Sequence, residues 1–136
     1  MNNTKKVEPT TSEVLNYMRM NGIYNKLLRE IQAQKITSRA ACETGLKVSD
    51  EELQRAADAF RLLNNLEKAS VFKEWLTKVD MSLEDFEEFL ERNILVSKFK
   101  NALAQNAQEI DFLSRQEMKE LLRDIIYQDW LKEHMK

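Results

Sequence analysis

The sequence predicts an all-α fold, in which a single compact domain contains about six helices. Only two glycines and one proline occur in 136 residues, which is too few for the tight turns that join β-strands. Hydrophobic residues make up 43% and charged residues 32% of the chain, a balance typical of a folded globular protein. The apolar residues recur at helical spacings. We therefore expect a flexible lead-in over residues 1–10 and one helical domain over residues 11–136.

Four helix starts can be predicted from a capping pattern, in which a Ser or Thr is followed three positions later by an acidic residue. The four are Thr10, Ser49, Ser82 and Ser114. The hydroxyl oxygen of such a residue accepts a hydrogen bond from a backbone N–H that the first helical turn leaves free, and the acidic side chain accepts one from the backbone N–H of the cap residue.

The ends of the early helices are predicted by residues that tolerate a left-handed backbone conformation. Asn21-Gly22 marks the end of the first helix. A second helix is expected at roughly 23–35, and a shorter helical segment around 37–44 is expected to end at Gly45.

The second half of the chain carries the strongest apolar signal. A short helix is expected around 68–79, with Asp80-Met81 as a break. The helix that starts at Ser82 has too many apolar residues for one face, so we expect it to be covered on two sides and to form the spine of the core. The last helix repeats apolar residues up to Trp130 and Leu131, so we expect it to pack back on the N-terminal helices.

Charge and composition argue against several classes of partner and location. The formal net charge is −2 and the basic residues are interleaved with acidic ones, so no basic face predicts nucleic-acid binding. The two N-terminal lysines precede no apolar stretch, and no segment is long and apolar enough to cross a bilayer. Cys42 has no partner for an internal disulfide, and we expect it to be a small buried apolar residue. These features predict a cytoplasmic protein with no membrane partner.

The residue inventory predicts neither an active site nor a metal site. The only histidine, His134, lies two residues from the end, where a frayed tail is expected. Acidic pairs follow helix starts, where capping and a solvated face explain them; they are Glu51/Glu52, Glu84/Asp85 and Glu87/Glu88. The expectation is a protein without catalysis, cofactor or metal. An enzyme that uses acidic residues is the remaining alternative, and loss of an activity on mutating Glu84 or Glu88 would favour it.

Several segments, in their order along the chain, resemble the N-terminal chaperone region of SurA-type, parvulin-linked foldases. The segments are Gly45-Leu46-Lys47-Val48-Ser49-Asp50-Glu51-Glu52-Leu53, Val71-Phe72-Lys73-Glu74-Trp75-Leu76, Ser82-Leu83-Glu84-Asp85-Phe86 and Arg92-Asn93-Ile94-Leu95-Val96-Ser97-Lys98-Phe99. The stretch from Leu121 to Glu133 resembles the last helix of the same family, which returns to the N-terminal helices. Only a short stretch separates the two matched parts, so the resemblance implies a chaperone core without the prolyl-isomerase domain and its catalytic residues.

The resemblance implies a protein that holds a peptide or an unfolded polypeptide, including a precursor peptide in peptide maturation. Flexible Met and flat aromatic side chains suit variable peptide ligands. The candidate peptide-binding residues are Met18, Met20, Tyr24, Trp75, Met81 and Trp130. Each of them is also a candidate for the core. A second hypothesis is a homodimeric scaffold or adaptor subunit that exchanges its first or last helix with a second copy and binds another protein.

Overall fold

The computed structural model describes residues 7–106 and 116–135, and in these two ranges it contains six α-helices and no strand. The helices are α1 (Thr11–Met20), α2 (Ile23–Glu43), α3 (Asp50–Leu63), α4 (Ala69–Lys78), α5 (Leu83–Asn106) and α6 (Gln116–His134). The predicted all-α class is confirmed.

Three of the four predicted helix starts are confirmed with their capping hydrogen bonds. The hydroxyls of Thr10 and Ser49 accept the backbone N–H three residues later, and the acidic residues reach back to the cap N–H. Ser82 makes the same pair of hydrogen bonds with Asp85 ahead of α5. Ser114 lies outside the described residues.

The predicted break between a helix at 23–35 and a segment at 37–44 is wrong, because α2 is one helix of 21 residues. No glycine or proline lies between residues 34 and 38, and Thr37 is fully buried there. The predicted end at Gly45 is confirmed. Gly45 has a φ of +87°, and the N–H of Leu46 donates to the carbonyl of Ala41 at 3.0 Å, which is the Schellman ending of a helix.

The chain divides into two compact units, Met1–Ala33 and Gln34–Lys136, and the boundary lies within α2. The single domain expected over residues 11–136 therefore stays a prediction. In the first unit, none of the described residues is buried. Seven large apolar side chains are exposed there, and they are Val7, Val14, Tyr17, Met20, Ile23, Leu28 and Ile31.

The second unit contains the hydrophobic core. Ala41 of α2 packs with Leu95 and Phe99 of α5, and Trp130 of α6 packs against this group. Helix α5 is the longest described helix, with 24 residues, and it packs against both α3 and α6, so the prediction of a central helix covered on two sides is confirmed.

The predicted return of the C-terminal helix is confirmed by a buried hydrogen bond. The hydroxyls of Thr37 on α2 and Tyr127 on α6 lie 3.0 Å apart and are joined by this bond. Both residues are at most 6% exposed, so the bond forms in a site where an unpaired hydroxyl would be costly.

Two predictions about single residues are wrong. Cys42 is exposed, because successive residues on a helix point about 100° apart and its neighbour Ala41 takes the buried position. His134 belongs to the last turn of α6 and is not part of a frayed tail; its ring stacks on Trp130 with the centroids 4.2 Å apart. Within the described ranges, every helix is too short or too polar to cross a lipid bilayer.

Candidate peptide-binding groove

A groove of about 290 Å³ lies between α3, α4 and α5, all in the second unit. Its lining combines apolar, aromatic and charged side chains. These residues are Asp50, Leu53, Gln54, Ala57, Arg61, Phe72, Leu83, Phe86 and Glu87. We refer to this set as the groove. Such a mixture of apolar surface and a few polar groups is typical of sites that bind small ligands or peptide segments.

The floor of the groove is aromatic. Phe86 is only 4% exposed, and the rings of Phe60 and Phe72 pack edge-on against it with centroid distances of 5.3 and 5.0 Å. Trp75 contacts all three rings at 5.6 to 6.4 Å. These four residues are named here the groove cluster. The three contacts of Phe86 have the edge-to-face geometry that aromatic rings prefer, so the floor is held in place.

Helix periodicity places three groove residues of α3 on one face. Leu53, Ala57 and Arg61 follow one another at intervals of four residues, which brings them onto the same side of the helix. Ala57 is the smallest of the three and lies between the other two. A larger side chain at position 57 would occupy space in the groove.

The turn between α3 and α4 depends on Asn65, which has a φ of +56°. Asparagine tolerates this left-handed conformation better than most residues. The N–H of Leu66 then donates to the carbonyl of Arg61 at 2.7 Å, and Leu66 is buried. The turn thereby fixes the position of α4, which carries Phe72, relative to α3.

Arg61 is held by several contacts on one wall of the groove. Its Nε donates to the carbonyl oxygen of Leu66 at 2.9 Å and its Nη2 to that of Glu67 at 2.7 Å. The guanidinium also lies over the ring of Phe72, 4.6 Å from the centroid, in a cation–π contact. These contacts fix the guanidinium against the turn.

Two carboxylates, Asp50 and Glu87, also line the groove. Asp50 lies in the first turn of α3, where the helix end stabilises a negative charge. Glu87 lies in the second turn of α5 and is half-buried. Among the described residues, neither carboxylate forms an ion pair closer than 4 Å.

An ion pair joins α3 to α5 near the first turn of α3. The Nζ of Lys98 donates to Oε1 of Glu52 at 2.7 Å and to the carbonyl oxygen of Lys47 at 2.6 Å. The hydrogen bond from Lys98, followed by the backbone N–H of Ser49, lowers the pKa of Glu52 from 4.5 to about 2. Glu52 therefore stays ionised, and its pair with Lys98 anchors the helix that carries Asp50.

A second aromatic group lies between α5 and α6 and is named here the C-terminal cluster. It comprises Phe99, Tyr127, Trp130 and His134. The ring of Phe99 packs edge-on against Trp130 at 4.9 Å, and Trp130 stacks on Tyr127 at 6.4 Å. Among the described residues, no aromatic ring of this group contacts a ring of the groove cluster.

The candidate residues are distributed over both units and both clusters. Met18, Met20 and Tyr24 lie in the first unit, where Met20 is 87% exposed and the other two are half-buried. Trp75 belongs to the groove cluster without lining the groove itself, and Trp130 belongs to the C-terminal cluster.

Met81 follows Asp80, which has a φ of +54°. The N–H of Met81 donates to the carbonyl of Leu76 at 2.9 Å, so Met81 holds the position after a left-handed residue at the end of α4. An apolar residue commonly packs back on the helix at this position, which accounts for its partial burial without a ligand.

None of the residues that line the groove is among the candidates from the sequence. The candidates are Met, Tyr and Trp residues and do not include Phe72 and Phe86, which form the floor. The sequence pattern alone explains Glu87 as part of a solvated acidic pair. Two signals in the sequence could have indicated the site: the small Ala57 within an apolar line of α3, and an acidic residue beyond the first turn of α5.

In the parts of the chain that the structure describes, no three His, Cys, Asp or Glu side chains come together in a way that could hold a metal ion. Searches against protein families, curated protein sequences and solved structures find no match to this chain. The resemblance to SurA-type chaperones therefore stays a prediction that rests on the sequence segments alone.

Proposed function

We propose that this protein is a non-catalytic, chaperone-like protein that binds a peptide or a segment of unfolded polypeptide. The observation that supports this function is the groove between α3, α4 and α5, with its floor of Phe72 and Phe86. Apolar side chains of an extended or amphipathic segment would pack on this floor, while polar groups on the walls orient the segment.

The size of the groove suits part of a peptide better than a folded partner. Its volume of about 290 Å³ lies near the lower bound of ligand pockets, about 300 Å³. A protein that holds unfolded chains binds a few side chains of the ligand at a time, and the groove is large enough to accommodate a few side chains. The resemblance to SurA-type proteins points to the same function and implies a precursor peptide in peptide maturation as the ligand.

The test is a titration of the variant Trp130→Phe, in which Trp75 is the remaining tryptophan. Its ring contacts Phe72 and Phe86, so a ligand on the floor is expected to change its fluorescence. The probe is reduced and alkylated ribonuclease A, which stays unfolded and contains no tryptophan, so that the fluorescence comes from Trp75 alone. Saturable binding, with hydrogen-exchange protection over 50–61 and 83–87, is the expected result.

The control variant is Phe89→Ala. Phe89 is on α5 like Phe86, but it is 50% exposed and does not line the groove, so binding is expected to survive its loss. A chain that shows no saturable response, or one protected only over residues 7–33, would contradict the proposed site.

The homodimeric scaffold is a second candidate, and the exposed apolar residues of the first unit favour it. Over residues 7–33 no described residue is buried, while seven large apolar side chains are exposed. Apolar surface of this kind often marks an interface between proteins. A second copy that exchanges its first helix would cover part of this surface.

Sedimentation over a range of concentrations tests the scaffold. A dimer that dissociates in the double variant Leu28→Lys/Ile31→Lys would support it, because both side chains are about half exposed on α2. The matched control is Leu63→Lys, since Leu63 is an 82% exposed apolar residue of the second unit. A chain that stays monomeric at every concentration would exclude the dimer.

A further inference from the structure

We propose that the groove selects basic amphipathic segments, in which a lysine or arginine lies beside an apolar side chain. This inference rests on the proposed peptide-binding function and narrows its ligand class. The argument starts from Glu87, whose position neither the cap of α5 nor an ion pair explains.

Glu87 is not needed to begin its helix. The first turn of α5 is capped by Ser82 and Asp85, which exchange two hydrogen bonds, and the field of a helix end falls off within the first turn. Its neighbour Glu88 is 69% exposed and lies 3.6 Å from Arg92. Glu87 is half-buried in the groove and forms no such pair among the described residues.

Arg61, the basic residue of the lining, does not neutralise the groove. Its Nε and Nη2 donate to two backbone carbonyls, and its guanidinium covers the face of Phe72. With Asp50 and Glu87 on the other walls, the lining carries two negative charges and one positive charge. A cationic side chain of the ligand would bring the lining and its contents to neutrality.

Acidic residues near the groove in the sequence add to the negative electrostatic potential of its lining. From Asp80 to Glu91 there are six acidic residues and no basic one, and α3 begins with three consecutive acidic residues. Both helices border the groove. Glu52 is offset by its pair with Lys98, and Glu88 by its pair with Arg92. Charges act over roughly 10 Å at moderate ionic strength, so the other carboxylates of these two segments attract a basic segment and repel an acidic one.

The floor and the walls together match the two parts of a basic side chain. Lysine and arginine pack their aliphatic stems on apolar surface while the charged head stays near water or a counter-ion. Here Leu53, Phe72 and Phe86 offer apolar surface, and Glu87 offers a carboxylate in the same groove. An adjacent apolar side chain of the peptide would fill the rest of the floor.

The experiment compares two short synthetic peptides, one of alternating leucine and lysine and one in which glutamine replaces each lysine. Each is titrated into Trp130→Phe and into the same protein with Glu87→Gln, and each titration is repeated at higher salt. The matched control is Glu88→Gln, which removes an equal charge from the next position of α5 outside the groove lining.

We expect the lysine peptide to bind the unaltered groove more tightly than the glutamine peptide, and to lose affinity as salt rises. Glu87→Gln should weaken the lysine peptide about two- to five-fold, as loss of a partly exposed ion pair does, and leave the glutamine peptide unchanged. Glu88→Gln should change neither peptide measurably.

Three outcomes would overturn the inference. Equal affinity of the two peptides for the unaltered groove would show that charge is not selected, while the proposed function would stand. Equal effects of Glu87→Gln and Glu88→Gln on the lysine peptide would show that its affinity depends on the net charge of the protein and not on a carboxylate in the groove. If neither peptide binds and Glu87→Gln weakens self-association, the groove belongs to a second copy, and both proposals fail.

Discussion

The two aromatic clusters have similar composition and different surroundings. The C-terminal cluster packs on Ala41 and Leu95, so that Phe99 is 6% exposed within a continuous core. The groove cluster buries Phe86 equally well, yet Phe72 faces a cavity with two carboxylates and a guanidinium on its walls. Aromatic content alone therefore does not mark a binding site; at the groove cluster the site is marked by the cavity beside Phe72 and by the charged groups that line it.

The largest expected effect is loss of stability in the core. Phe99→Ala should lower the free energy of unfolding by about 3–5 kcal/mol, because it removes a buried ring from contact with Trp130. Chemical denaturation measures this change, with Phe89→Ala as the control on the same helix. Equal losses for the two variants would mean that the C-terminal cluster is not the core.

Phe72→Ala should separate stability from binding. Phe72 is half-buried, so we expect a smaller loss of about 1–3 kcal/mol, together with loss of binding of the unfolded probe at temperatures where the variant is still folded. Circular dichroism checks the fold in the same samples. Undiminished binding would remove Phe72 from the site.

The buried hydrogen bond between Thr37 and Tyr127 should contribute less than the core rings. Thr37→Val deprives the Tyr127 hydroxyl of this partner and should cost about 1–2 kcal/mol. The double variant with Tyr127→Phe should lose less than the sum of the single variants, since both hydroxyls then disappear together. Additive losses would contradict the bond.

The smallest expected effect is a pH-dependent one at the pair of Lys98 and Glu52. The pKa of Glu52 is lowered to about 2 in the folded chain, so its stabilising contribution is complete above the ordinary pKa of 4.5 and is lost as pH falls from 4.5 to about 2. Lys98→Met should therefore lower the melting temperature at pH 7, and its difference from wild type should shrink toward pH 2. Lys73→Met, which removes an exposed lysine of α4, controls for net charge.

Local chemistry made the helices predictable. The capping pattern at Thr10, Ser49 and Ser82 depends on residues three apart, so it can be read without knowledge of the packing. The predicted break inside α2 is wrong because Thr37 is an ordinary helix residue. Its burial depends on Tyr127, which lies 90 residues further along the chain and cannot be paired with it from local sequence.

The groove could not be predicted in the same way. Its floor comes from α4 and α5 and its walls from α3 and α5, and periodicity within one helix does not tell which faces meet. The same limit applies to Trp75 and Trp130, which have similar local sequence surroundings and belong to different clusters. Glu87 and Glu88 are adjacent in the sequence, but Glu87 lines the groove, whereas Glu88 is exposed and pairs with Arg92.

Helix α5 supplies Phe86 to the groove cluster and Phe99 to the C-terminal cluster. One continuous rod of backbone hydrogen bonds therefore joins the proposed site to the core, so the two are expected to melt in a single cooperative transition. Binding would then be linked to folding by mass action: a ligand held in the groove would protect the distant core as well, and the ligand itself would act as a stabiliser of the whole second unit.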